Sequence, residues 1–427
     1  MPWLPTLFAA EAIPSAMITF VALLMFLQLG VGWESSTLLC ALLTLPWVMK
    51  SFVRARIRQT GHFQLQLKFV ECGICLLLIA LAFCFTETSY SRQLVFACLF
   101  MLCLLCAHHE LAARMYYEHM LRPRRQRYYN SWKMLFSQST TVLTYGVMIV
   151  GVGFLEIFYH NRRNAMPLSW SMAVYVLAGI YMLLVVYNLC ALRAPRFSPA
   201  TASSSLLAAM RAEVRVIDRI AQKPHWWVVV LCLFLLLLPQ ALLFHTRVLF
   251  FIGSRAQGGL GASLQWIGLA QGTVGVIAFS AALALGHWRQ TPRLAAFLLG
   301  LSPAVYWLLA ILLPDDLLSL CIATLVAQFC FGYGLNATLP FVRYISGERY
   351  RSTINYLYIP LVSMVMLLPM AASGWLVTRL GFHDFFLADT LLALPAWTAA
   401  YVAMRQIGES SAGGAVSSES SHHRIDN

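Results

Sequence analysis

The chain has 427 residues, 60% hydrophobic and 11% charged, with a mean hydropathy of +0.71 and a formal net charge of +13. A soluble domain this apolar would lack the polar surface that keeps it dissolved, so soluble enzyme and soluble binding-module classes are excluded. The basic residues are spread over many short segments rather than gathered on one surface, which argues against nucleic-acid binding.

A helix needs about 20 mostly apolar residues to cross roughly 30 Å of hydrocarbon. Twelve stretches meet that need, near 12–32, 37–53, 69–86, 93–113, 134–157, 169–191, 227–252, 264–287, 295–313, 318–342, 353–377 and 385–405. The fold class is therefore an all-α polytopic membrane protein. The first stretch lacks a basic n-region and runs on as a full span, so it is not a cleaved signal peptide.

Loop charge sets the expected orientation. With both termini cytoplasmic, Arg92, Arg162, Arg163, Arg255 and Arg379 face outward and Arg247 lies within a span, leaving 24 of the 30 Lys and Arg inside. These cations would order the topology and meet anionic lipid head groups. The expected location is the inner (plasma) membrane of a bacterium. Most of the eleven cysteines lie inside spans, and the Cys72–Cys75 CxxC has no second pair, so they read as packing residues.

Residues 192–225 divide two sets of six spans. This stretch holds Pro195, Ser198, Pro199 and the Ser203–Ser205 run, then an amphipathic segment with Arg211, Arg215 and Arg219 that suits a membrane surface. Basic loops follow spans 2 and 8, and longer basic connections follow spans 4 and 10. The division is thus 1–191, an N-terminal six-helix half; 192–225, a cytoplasmic linker; 226–407, a C-terminal half; and 408–427, a Ser-, Gly- and His-rich disordered tail. Two pseudo-symmetric six-helix halves are the layout of the major facilitator fold, in which substrate binds near the midplane between halves that rock around it.

A more specific resemblance rests on short motifs. Pro14, Gly30, Pro46, Trp47 and Lys50 fall on the span 1–2 pattern of the muropeptide-permease (AmpG-like) family, which also contains acetyl-CoA and siderophore carriers. LPQALLFHTRVLFFIG in span 7 and SGWLVTRLGFHDFF after span 11 are similar to two further stretches of that family. The resemblance implies a monomeric secondary transporter, not an enzyme, moving a bulky polar solute such as a peptidoglycan fragment, with protons as the candidate coupling ion. Three carboxylates of the family pattern are absent: Arg114 and Arg58 stand at two positions and Gln240 at the third.

An ionisable side chain at the bilayer centre costs at least about 2.5–3.5 kcal/mol, so each one calls for a role. In span 7, His245 and Arg247 follow Pro239 and Gln240, and Arg247 can grip a carboxylate or phosphate through two parallel hydrogen bonds. The alternative is snorkelling or pairing with a neighbouring carboxylate. Gln138, Thr141 and Tyr145 share one face of span 5. Gln328 and Asn336 share a face of span 10 beside Tyr333, while Gln271 lies in span 8 and Asn355 and Tyr356 open span 11. Together these are the expected substrate-binding set, since polar groups facing lipid would go unsatisfied. Ordinary interhelical hydrogen bonds, each about 0.6–2 kcal/mol, are the competing explanation.

Glu71, Glu110 and Asp389 are the candidate coupling carboxylates, with Lys50 and Arg114 in the gating set. Glu110 and Arg114, four residues apart, can pair on one helix face. His108, His109 and Glu110 lack any defined metal-ligand spacing, so no metal or cofactor is expected. No phosphate-binding P-loop is present, which disfavours direct ATP drive. A siderophore or other anionic-solute carrier of the same fold, a membrane-embedded transferase acting through His108, His109 and Glu110, and a non-transporting sensor stay open as alternatives.

Overall fold

The structure is a computed structural model and describes residues 3–86, 91–162, 164–193, 206–223, 225–289, 291–341 and 351–405. The Ser203–Ser205 run and the tail at 408–427 lie outside the described residues. Every regular element among the described residues is a helix. That suits hydrocarbon, where a helix satisfies its backbone groups within itself.

Among the described residues, eleven helical stretches are long and apolar enough to cross a membrane: Trp3–Gln28, Trp33–Ile57, Phe63–Cys84, Arg92–Met120, Tyr128–Phe158, Ala165–Ala191, Trp226–Ile252, Leu264–Arg289, Pro292–Leu312, Leu317–Phe341 and Tyr358–Arg405. The first ten are spans 1 to 10. The last is 48 residues long; as one straight helix it would measure about 72 Å, more than twice the hydrocarbon thickness. Gly381, at φ 76° and ψ 166°, breaks it into span 11 (358–380) and span 12 (382–405). Large apolar side chains such as Phe69, Leu183 and Leu368 are exposed around the bundle, where lipid would meet them.

Span 1 departs from its expected bounds at both ends. It starts at Trp3 because Trp3 and Phe8 are buried against Tyr116 and Tyr117 of span 4, with ring centroids 5.2 and 5.8 Å apart. It stops at Gln28 rather than 32 because Gly30 adopts φ 71°, turning the chain into span 2. Arg92 Nε donates to the Leu29 carbonyl in that turn (3.1 Å). At span 10 the start is set by Asp316, whose carboxylate accepts the Ser319 N–H at 2.7 Å. That bond holds the Asp316 carboxyl below its ordinary value, as expected for a capped helix N-terminus.

The packing repeats. Span 3 lies along spans 4 and 6, and span 9 lies along spans 10 and 12; span 1 packs on span 5, and span 7 packs on span 11 at Ala241 and Met370 and on span 12 at Phe250 and Phe382. The six-helix units meet along two seams, span 2 with span 11 and span 5 with span 8. Trp3 clusters with Tyr116 and Leu192, while Ala403 clusters with Val229 and Phe341. The helix Leu206–Ala221 of the connection packs on Lys50–Thr60 at the same end, with Arg54 donating to Glu213 (3.4 Å). We call this the terminal end.

At the opposite end both seams are tight. A Cβ on Gly374 would lie 2.4 Å from Thr37 Oγ1, and Trp33 packs on Phe382 with centroids 5.3 Å apart. A Cβ on Gly272 would lie 2.4 Å from the Tyr145 carbonyl, so spans 5 and 8 touch backbone to backbone. Toward the terminal end the seams diverge, and the cavities lie there.

Candidate functional site

Among the described residues three spans contain π-turns, in which the backbone bonds i→i+5: Met17–Val21 in span 1, Val142–Val147 in span 5 and Gly268–Gly275 in span 8. Such turns are rare and concentrate at functional sites. Each widened turn re-aims side chains, and here all three aim at one place. Thr19, Phe20, Tyr145 and Gln271, one or two from each turn, line a single chamber of about 290 Å³.

Glu11, Gln138, Thr141, Arg247 and Gln328, with Ser15 and Ser137, complete its polar wall. A second chamber of about 280 Å³ shares Ser15, Thr19 and Phe244 with the first, and its wall includes Trp47, Lys50, Glu110 and His245. Spans 1 and 5 of one unit and spans 7, 8 and 10 of the other surround the first chamber, which therefore sits between the halves.

Its charges are unevenly matched. Arg247 is only 5% exposed, its Nε has no hydrogen-bond partner, and no ion pair among the described residues includes it. Its guanidinium lies over the Phe244 ring, 5.1 Å from the centroid. Nearby, Gln271 donates to the Tyr306 hydroxyl (3.2 Å) and Gln328 to Gln271 (3.5 Å), and Tyr145 stacks on Phe20 with centroids 5.0 Å apart. The Tyr145 hydroxyl is buried without a partner. Across the chamber Glu11 Oε2 is likewise buried and unbonded, in the field of Lys133, Lys50, Glu110 and His109. Lys50 donates to Glu110 in a buried ion pair and lies 5.9 Å from the Trp47 ring centroid. The chamber therefore holds one fixed cation with no counter-charge in contact, surrounded by amide and hydroxyl groups.

No protein-family model and no curated protein sequence matches the chain. Solved structures do match it in shape. A bacterial homologue of the human lysosomal transporter Spinster, inward-facing and occupied, has a TM-score of 0.70 at 14% identity, over 94% of this chain and 96% of that one. The xylose transporter XylE from E. coli, inward open, has a TM-score of 0.62 at 9% identity, over 92% and 94%. A variant of the nucleoside transporter NupG has 0.61 at 14% identity, over 94% and 98%. The chain has the major facilitator fold.

Within that fold the expected site residues separate into groups. Gln138, Thr141, Tyr145, Arg247, Gln271 and Gln328 come together in the first chamber, and Lys50, Glu110 and His245 line the second. Gln240 lies elsewhere: it donates to the Leu299 carbonyl (2.7 Å) and ties span 7 to span 9. Tyr333 bonds Thr291 (2.5 Å), and Asn336 donates to backbone carbonyls of Tyr333 (3.0 Å) and Leu283 (3.4 Å), so both fasten span 10 to its neighbours. The side chains of Asn355 and Tyr356 lie outside the described residues.

The expected pairing of Glu110 with Arg114 is corrected. Glu110 takes Lys50, sixty positions away, while Arg114 Nε donates to Glu118 (3.2 Å). His108, His109 and Glu110 diverge because successive helix positions point to different faces. His108 meets Gln66 (3.0 Å), and His109 meets Glu71 (3.1 Å). Glu71 also accepts from Asn188 (3.0 Å), so it sits among spans 3, 4 and 6, away from both chambers. Asp389 is buried in span 12 with both carboxyl oxygens unbonded, and it too lies outside the chamber walls.

Glu11 is the charged wall residue absent from the expected set, and Ser15, Thr19, Phe20 and Phe244 are absent from it too. The available signal was a carboxylate embedded in an apolar span, in the run FAAEAIPSAM just ahead of Pro14.

Proposed function

We propose that this chain is a secondary transporter of the major facilitator type that moves an organic anion by alternating access, with Arg247 as the residue that holds the anion. The observation that carries the reading is the buried guanidinium without an ion-pair partner in the chamber between the halves. An uncompensated buried charge costs several kcal/mol. A protein that keeps one facing a cavity reads as awaiting a counter-ion. The guanidinium fork fits carboxylate or phosphate through two parallel bonds, and the amides of Gln138, Gln271 and Gln328 supply neutral hydrogen bonding around it. The expected peptidoglycan fragment is an anion of this kind and stays within the class.

The basic loops support a cytoplasmic terminal end in a bacterial inner membrane. On that orientation the structure is the inward-facing state, with the outer seams closed. Glu11 and Glu110 are the carboxylates in the chamber walls, and they take the coupling role in this reading in place of Glu71 and Asp389.

The test is uptake into proteoliposomes of a panel of labelled solutes: anhydromuropeptides, other carboxylates and phosphates, and neutral sugars. Anion uptake should fall at least tenfold in Arg247→Ala and partly recover in Arg247→Lys. Uptake confined to neutral solutes, or anion uptake indifferent to Arg247, would sink the reading.

A further inference from the structure

A third space opens beside the first chamber, in the seam between spans 5 and 8. It has a volume of about 550 Å³ and shares Gln138 and Val276 with the first chamber, so the two adjoin. Its walls are mainly hydrocarbon, from Met134, Leu135 and Val142 on one side and Ile277, Ala281 and Ala284 on the other. No charged side chain lines it, and the Ser280 hydroxyl is already engaged by the Val276 carbonyl (2.6 Å).

The fissure has a structural cause. Glycine contacts hold spans 5 and 8 backbone to backbone at Gly146 with Gly272 and at Gly268 with Gly146 and Val150, while Gly153 meets the Gln265 side chain. Below that contact, toward the terminal end, no glycine pair keeps the helices together and they part.

Position and exposure give its direction. Measured along span 8 from Arg289, Ala284 to Val276 lie about 8 to 20 Å in, at 1.5 Å per residue. That depth belongs to the acyl chains of the adjoining leaflet rather than to its head groups. Leu135 and Ile277 at the rim are 55% and 56% exposed, so the fissure opens sideways, out of the bundle. A sideways apolar passage ending at a chamber with an unpaired cation has two chemistries in series.

We infer that the substrate is a single-chain amphiphilic anion, whose phosphate or carboxylate head sits at Arg247 while its hydrocarbon chain lies in the fissure between spans 5 and 8. This rests on the organic-anion reading above and narrows it. A wholly polar anion needs only the chambers and gains nothing from the fissure. An amphiphile gains roughly fourfold in affinity for each methylene buried there.

The experiment measures binding of two series, alkyl phosphates and alkyl carboxylates from four to ten carbons, to the full chain in lipid nanodiscs. Empty nanodiscs are subtracted as the partitioning control. Affinity for the wild type should rise on the order of a hundredfold from butyl to octyl. Ala281→Trp, at an exposed rim position, should flatten that rise by filling the fissure, and Ala284→Trp serves the same purpose if the first variant folds poorly. Arg247→Ala should lose binding at every length.

A rise that survives both tryptophan variants, or Arg247-dependent binding with no rise, overturns the amphiphile and leaves the organic-anion reading standing. If neither series binds while polar anions are transported, the amphiphile again falls alone. If neither series binds and no anion is transported, both fall.

Discussion

Lys50 and Glu110 show how a buried charge is tolerated in this chain. Lys50 is 2% exposed and its ammonium donates to Glu110, with Trp47 beside it. Removing one partner of such a pair leaves the other uncompensated, which costs about 3–5 kcal/mol, whereas replacing both costs far less. Lys50→Met should therefore lower the thermal midpoint strongly, with the effect at the lower end of that range because the Glu110 side chain retains 26% exposure. The double variant Lys50→Met with Glu110→Gln should recover most of the loss. A double variant as unstable as the two single variants combined would mean that the pair has no energetic coupling. Both residues stand out in the sequence, but their pairing does not. Gln138, Thr141 and Tyr145 were legible as a set because they share a helix face, a relation carried by local spacing. Lys50 meets Glu110 across sixty positions, and nothing in either segment encodes that contact. The nearer Arg114 was the natural choice, and tertiary geometry gave it Glu118 instead.

At the scale of elements, the seam between spans 5 and 8 depends on a few glycines and not on all of them. A Cβ on Gly272 would lie 2.4 Å from the backbone oxygen of Tyr145, an atom that cannot swing aside, while a Cβ on Gly151 would meet nothing within 4 Å. Gly272→Val should thus destabilise the protein by at least about 1–3 kcal/mol through overpacking, read as a lower melting midpoint or loss of a monodisperse peak. Gly151→Val, in the same span pair, should stay near wild type. Equal behaviour of the two variants would contradict the seam as described. Most of the spans were readable from hydropathy, since length and apolarity are local properties. The break at Gly381 was anticipated as a gap between two spans. The early start of span 1 was not, because Trp3 and Phe8 are helical by virtue of packing on span 4, which their own sequence does not announce. The three π-turns left no sequence signal at all, since a widened turn and an ordinary one use the same apolar and small residues.

At the scale of the whole molecule, the proposed alternating access requires that the tight seams at the opposite end be breakable. Gly374 is the point where that requirement is most exposed: any side chain there would press on Thr37 Oγ1 (2.4 Å) and on the Trp33 carbonyl (2.6 Å) of span 2. Gly374→Leu should therefore wedge spans 2 and 11 apart and raise the population of the conformer open at that end. A ligand or mutation shifts such an equilibrium only by its differential effect on the two states, and a clash present in one state alone is that kind of effect. The chain carries its own reporter, because Cys40 is buried in the wall of the second chamber. In a background where Cys40 is the single remaining cysteine, a membrane-impermeant maleimide should label it only slowly in the parent protein, and from the terminal side, because the thiol is 4% exposed. In Gly374→Leu the same reagent should label it from the opposite side, severalfold faster than before, while transport falls because the closed state is penalised. Labelling from the opposite side at an unchanged rate, in a variant that folds and stays in the membrane, would mean that this seam is not the barrier the halves open.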